Sequence, residues 1–427
     1  VIRTRLTWLV YVQLALYAYV LYGFGPSVAL LRRDLGFSHT VGGLYATALA
    51  GGAVVAGLVG RRAVDRLGRG RLLWSAVAGM CAGLVGFCTA RTVPLTMLAA
   101  MVCGTFGAWV VNTANAALMD GNGPRGTSAL TEANALAASA GVAAPLLIGG
   151  CVWVGLGWRV ALMLVLGPVA WAAWFFRGVR LPPPVALMLV LGPVAWAAWF
   201  FRGVRLPPPR QGTDTAQADG GETDRWLPAA YWVTWAVLAC VIGIEFCLSV
   251  WAAELLGVRE HLSPGAAAAV WSTLLVGVAV SRLVASRLTA QRPVDSVLTA
   301  GLVILLVGFG LFWVTTTAWV AALGLVIVGA GLGVQYPLTI ARAITLAPGR
   351  SDLASARAGL AAGLAVGAGP FLLGALADHY GSHAAFLMVP VLAVLALAGL
   401  GVSRAAAGSA APPTARLPRP GGSAVAG

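Results

Sequence analysis

The chain contains no lysine: its 28 basic residues are all arginine, set against 14 acids, and charged residues fill only 10% of 427 positions. Soluble domains carry about a quarter charged residues to solvate their surface, so this composition excludes a water-soluble globular fold. The net charge of +14 does not point to nucleic acid, because the arginines stand singly or in short runs at the ends of apolar blocks. Cysteine is scarce, and Cys81, Cys88, Cys103, Cys151, Cys240 and Cys247 contain no CxxC pair. Such residues read as small buried hydrophobes rather than metal or disulfide partners. His39, His261, His379 and His383 supply one i, i+4 pair and no fuller ligand set, and no phosphate-binding loop is present. No acid–base pair or metal cluster falls at one depth, so the chain is expected to be no enzyme and to need no cofactor.

What the sequence has in excess is hydrophobicity, with 59% apolar residues and a mean hydropathy of +0.86. A helix crosses the ~30 Å hydrocarbon core with about 20 apolar residues. Blocks of that length recur at 6–31, 39–60, 72–90, 94–119, 127–150 and 155–176, and again at 229–255, 263–286, 295–314, 317–341, 353–377 and 384–402. The fold expected is all-α, with twelve transmembrane helices in two six-helix bundles embedded in a lipid bilayer. Residues 160–184 recur unchanged as 185–209, creating a thirteenth apolar stretch. If that copy crosses the membrane, the second half inverts and its arginines move outside. If it does not, nearly all arginines fall on the side of both termini, as the positive-inside rule requires. The copy is therefore placed at the cytoplasmic face. Four segments follow: a first bundle over 1–180, a cytoplasmic linker over 181–226, a second bundle over 227–403 and a disordered cytoplasmic tail over 404–427. A multi-pass protein of the cell inner (plasma) membrane is expected, monomeric, with both termini cytoplasmic and no nucleic-acid partner.

The halves echo each other at an offset of 225 residues: Ser38 with Ser263, Arg62 with Arg287, Gly104 with Gly329, Pro145 with Pro370 and Gly149 with Gly374. Two six-helix repeats in parallel orientation place a binding site near mid-membrane between them.

Asp65-Arg66-Leu67-Gly68-Arg69, between spans 2 and 3, resembles the G-x-x-x-D-R-x-G-R loop of the major facilitator superfamily. The likeness extends over nearly the whole chain and includes GWRVAL at 157–162 and GSHAAF at 381–386. It implies a secondary transporter working by alternating access. It also implies a cytoplasmic gate of Asp65, Arg66, Gly68 and Arg69 with the acidic partner Asp120, and Arg282 in a worn second copy of the loop. The family's leading glycine falls on Arg61 here. Span 4 has no internal arginine, and Ala144-Pro145-Leu146-Leu147-Ile148-Gly149-Gly150 is a loose version of the drug-antiporter motif of span 5.

Charge inside a bilayer is costly and therefore marks function. Glu245, midway along span 7, is the expected proton or substrate carboxylate. Glu132 with Asn112, Asn115 and Asn134 would form a polar cluster between spans 4 and 5. Gln335 and Tyr336, beside Pro337 in span 10, and Tyr19 and Tyr22 in span 1 would line the path. With no basic residue evident deep in the bundle, the sequence favours proton-coupled export of a small, partly apolar solute. A nutrient-uptake permease or a non-transporting receptor on the same scaffold are the alternatives.

Overall fold

A computed structural model describes residues 5–122, 126–168, 227–347 and 350–409. The duplicated copy 185–209 and the rest of the 181–226 linker lie outside these residues. Among the described residues thirteen helices run in the order α1 (Arg5–Leu35), α2 (His39–Thr89), α3 (Val93–Asn122), α4 (Gly126–Trp153), α5 (Trp158–Met163), α6 (Ala229–Arg259), α7 (Pro264–Gln291), α8 (Val294–Val314), α9 (Ala318–Leu332), α10 (Gln335–Thr345), α11 (Ser351–Tyr380), α12 (Ser382–Ala385) and α13 (Met388–Ser409). Among the described residues eleven stretches are long and apolar enough to span a membrane, and the shorter apolar helix Trp158–Pro168 stands where the sixth span was expected. The all-helical fold is as the hydropathy predicts.

Helix α2 holds two spans. It is helical over 51 residues, yet both Gly52 and Gly83 touch the same stretch of α3, around Met101–Thr105. A straight helix would separate Gly52 from Gly83 by about 46 Å, so the chain must double back between them. Spans 2 and 3, at His39–Val59 and Leu72–Thr89, are its two arms, and the Asp65–Arg69 segment joins them.

The 225-residue repeat reappears in the packing. A Cβ placed on Gly104 would lie 2.0 Å from the Leu49 carbonyl oxygen, and one on Gly329 would lie 2.0 Å from that of Leu274. Gly52 meets the Met101 oxygen at 2.1 Å and Gly277 that of Val326 at 2.1 Å. Every one of these pairs is related by the same offset. Ser38 Oγ accepts from the Val41 N–H and Ser263 Oγ from the Ala266 N–H, each at 3.3 Å. Both serines cap the helix that follows and satisfy an otherwise orphaned donor. In a membrane, small residues let backbones approach where apolarity alone gives no drive to associate.

The second half is pinned at the end where its chain enters. Asp295, in the first turn of α8, receives Arg342 of α10 and Arg404 of α13, the latter at 3.1 Å. Arg404 also donates to Thr299 Oγ1 at 2.7 Å. Helix α13 continues to Ser409, past residue 404, where the tail was expected to begin.

Candidate functional site

Helix α1 meets α6 across the seam between the halves, and a polar cluster sits there in an apolar wall. The Tyr22 hydroxyl donates to Glu245 Oε1 at 2.9 Å. Glu245 lies 14 residues before the end of α6 and Tyr22 lies 13 before the end of α1, each about 20 Å from its helix end at ~1.5 Å per residue. That is mid-membrane depth. The charge of Arg282 on α7 also acts on the Tyr22 hydroxyl. Tyr336 of α10 feels the charges of both Glu245 and Arg282.

Arg282 comes to this place through a broken helix. Pro337 has no N–H to give to the carbonyl four residues earlier, and its ring crowds that carbonyl. The carbonyl belongs to Gly333, which lies in the break between α9 and α10. It accepts instead from Arg282 Nε at 3.4 Å. The helix break therefore falls one turn before Pro337. Side chains lean toward the N-terminus of their helix, which carries Arg282 from the far part of α7 back toward mid-membrane. Arg282, expected at the cytoplasmic gate, is bound to the Gly333 carbonyl, and its charge acts on Tyr22 and Tyr336.

The other expected site residues divide. Tyr22, Glu245 and Tyr336 come together, with Tyr336 40% exposed. Tyr19 does not join them: it is buried in the first half and donates to the Ala161 carbonyl at 2.6 Å. We expect Tyr19→Phe to lower the thermal midpoint modestly, by the loss of about 1 kcal/mol, while leaving solute transport unchanged within about twofold. Gln335 is fully buried, and its amide donates to the carbonyls of Leu298 at 3.0 Å and Gly331 at 3.2 Å. It braces α8 against the α9–α10 break instead of facing a path. Glu132 accepts from the Tyr11 hydroxyl at 3.0 Å. Tyr11 lies 11 residues before Tyr22, about 16 Å away along α1, so Glu132 belongs to a separate group. Asn112 is exposed and Asn115 half-buried on α3. Of the expected gate, Arg66 is exposed; the side chains of Asp65, Gly68, Arg69 and Asp120 lie outside the described residues.

A second polar layer was not anticipated. Nine residues beyond Glu245, Glu254 is 4% exposed and accepts from Arg32 Nε at 3.3 Å and Nη2 at 2.5 Å. His39 places Nε2 2.6 Å from Glu254 and Nδ1 2.8 Å from Asp378. Asp378 of α11 also accepts the backbone N–H groups of His39 and Thr40, at 3.0 and 2.8 Å, and the Thr40 hydroxyl at 2.6 Å. A carboxylate from one half thus caps the N-terminus of a helix in the other, where the helix dipole favours negative charge. Below this layer the backbones touch. A Cβ on Gly25 would fall 2.0 Å from the Ser249 carbonyl oxygen, and Gly149 and Gly265 face each other the same way at 2.6 and 2.7 Å. Trp251 Nε1 donates to the Pro370 carbonyl at 2.9 Å, and Thr47 Oγ1 to that of Gly367 at 2.7 Å. The halves are sealed at the α1–α2 end, about 14 Å beyond the Glu245 cluster at ~1.5 Å per residue.

The sequence did hold a signal for this layer. Arg32 and Arg33 violate the positive-inside pattern, and Glu254 ends the span that repeats span 1 in the other half. Opposite charges at equivalent span ends meet across the pseudo-twofold axis.

Solved structures share this architecture. A bacterial homologue of the human lysosomal transporter Spinster, inward-facing and unoccupied, is 15% identical with a TM-score of 0.66, covering 94% of this chain and 98% of its own. The transporter FucP in an outward conformation is 13% identical with a TM-score of 0.60, covering 93% and 98%. A mutant of the nucleoside transporter NupG is 11% identical with a TM-score of 0.67, covering 94% and 98%. No curated relative matches the chain in sequence. The family model of the Major Facilitator Superfamily matches residues 10–350, well over half the chain and both sides of the sealed seam, so the protein belongs to the Major Facilitator Superfamily.

Proposed function

We propose that this transporter is a proton-coupled carrier of a small organic solute, working by alternating access around the Glu245 cluster. The carrying observation is the Tyr22–Glu245 hydrogen bond between the halves, with Arg282 and Tyr336 at the same spot. By the arginine distribution, the α1–α2 end faces outward and both termini are cytoplasmic, so the sealed seam makes this an inward-facing state.

Arg282 changes the reading of the solute. The sequence argument for export of a small, partly apolar solute rested on finding no deep basic residue, and Arg282, whose charge acts on Tyr22 and Tyr336, is a candidate for one. While Glu245 is ionised it balances Arg282 and holds the Tyr22 hydroxyl. A proton on Glu245 removes that balance and leaves the guanidinium free to bind an acidic or hydroxyl-rich group on the solute. The tyrosine rings offer it apolar faces. Proton and solute then load together, which is symport.

The test uses purified protein in liposomes holding a pH-sensitive dye, challenged with organic acids, sugars, neutral lipophiles and organic cations. We expect a solute with acidic or hydroxyl groups to acidify the lumen, and Glu245→Gln to abolish that proton flux by at least about 100-fold. Lumenal alkalinisation would restore export by antiport. Unchanged transport in the variant would sink the coupling role of Glu245, and solute binding without movement would favour a receptor.

A further inference from the structure

We infer that His39 is a proton-operated latch on the outer seal, so that the medium at the α1–α2 end controls how readily the carrier opens toward it. The inference goes beyond the transport reading, because it concerns a residue about 14 Å from the Glu245 cluster and acts without solute.

The protonation of His39 follows from its partners. Glu254 accepts twice from the Arg32 guanidinium, and Asp378 accepts two backbone N–H groups and a hydroxyl. Both carboxylates are thereby held ionised, and an ionised carboxylate only accepts. Since each ring nitrogen of His39 faces one of them, at 2.6 and 2.8 Å, both nitrogens must donate. In the sealed state the ring is the imidazolium.

The charges close around it. Arg32 of α1 and His39 of α2 come from the first half; Glu254 of α6 and Asp378 of α11 come from the second. Two positive charges meet two negative ones. The other neighbour is the Trp251 ring of α6, 5.6 Å away, which carries no charge. Arg33 points to Gly257, and Asp34 is held by Arg159 at 2.9 Å and by Trp158 Nε1 at 3.1 Å within the first half. Removing the His39 proton leaves the cluster one charge negative and turns a nitrogen lone pair toward a carboxylate.

The sign follows from linkage. The sealed state holds the His39 proton more tightly than an open state in which the carboxylates have moved away. Sealing is thus fully supported below the ordinary histidine range of about 6.5 and is lost as pH climbs above it. Acid outside holds the carrier shut on that side, and alkaline pH releases it.

The test needs no solute, so it stands or falls apart from the coupling reading. Nitroxide labels at Arg91→Cys and Thr316→Cys, exposed on the two halves at the α1–α2 end, would report the seam by pulsed electron paramagnetic resonance in nanodiscs, with native cysteines replaced by alanine. We expect the ratio of short to long distances to fall by at least about tenfold, one unit of linked titration, between pH 5.5 and 9. His39→Arg keeps the charge and should stay short across the range. His39→Gln keeps one donor without the charge and should stay long. A wild-type ratio that does not change with pH, or a step that survives in His39→Gln, overturns the latch.

Discussion

Gly25→Val is expected to prevent the seam at the α1–α2 end from closing and to cut solute transport by at least about 100-fold. A Cβ at Gly25 would lie 2.0 Å from the Ser249 carbonyl oxygen, 2.6 Å from its carbon and 3.0 Å from the Val250 Cα. All three are backbone atoms of α6, so no side chain can rotate out of the way. Ordinary contact begins near 3.4 Å, and α1 and α6 would have to part by roughly 1.4 Å at the point where interhelical packing depends on close approach. Arg32 and Glu254, one to two turns further on, would separate with them. Valine costs a membrane helix little of its own stability, so the variant should fold and remain outward-open. Gly57→Val is the control: nothing lies within 4 Å of a Cβ there, and transport should stay near wild type. Solute counterflow with the distance measurement across the seam checks both. Normal counterflow in Gly25→Val would mean that the seal is not part of the cycle.

Glu254→Gln is expected to shift the sealed-to-open ratio toward open by roughly 30- to 100-fold. The carboxylate is 4% exposed and is shared by Arg32 and His39, themselves 22% and 20% exposed. Removing one partner of a buried ion pair costs about 3–5 kcal/mol because the remaining charge is left uncompensated. Partial solvent access to Arg32 and His39 reduces this to about 2–3 kcal/mol. Because both positive groups sit on the first half and the lost charge on the second, the cost falls on the sealed state alone. Asp34→Asn gives the contrast. Its partners Arg159 and Trp158 belong to the same half as Asp34, so it should lower the thermal midpoint without moving the seam. Equal seam distances in Glu254→Gln and wild type would show that backbone packing alone seals the carrier.

Spans, repeat and family were legible in the sequence because each is written locally. Twenty apolar residues specify a membrane helix whatever surrounds them, and identical spacing in two halves records a shared packing plan. Ser38 and Ser263 cap equivalent helices, and Gly104 and Gly329 press on equivalent carbonyls, as the 225-residue offset predicts. Glu245 stood out because charge inside a bilayer is costly, and Tyr22 was named with Tyr19 on span 1; Tyr22 and Glu245 are hydrogen-bonded to each other. The same reasoning misplaced Tyr19 and Gln335, whose polar atoms are used to tie helices within one half. It also put Arg282 at a gate, since position along a helix says nothing of a proline-freed carbonyl on another.

What the sequence determined by itself was the all-helical, membrane-spanning fold and the family. What only the tertiary structure decided was which side chains meet: Tyr22 with Glu245 across 223 residues, Arg32 with Glu254 across 222, and His39 with Asp378 across 339. The reason is physical. In a soluble protein the polar face of a helix reveals its outward side, but lipid and protein interior are both apolar. A membrane helix therefore carries little record of which face it turns to its neighbours, and the rotation that brings these groups together is set by the packing of the whole bundle.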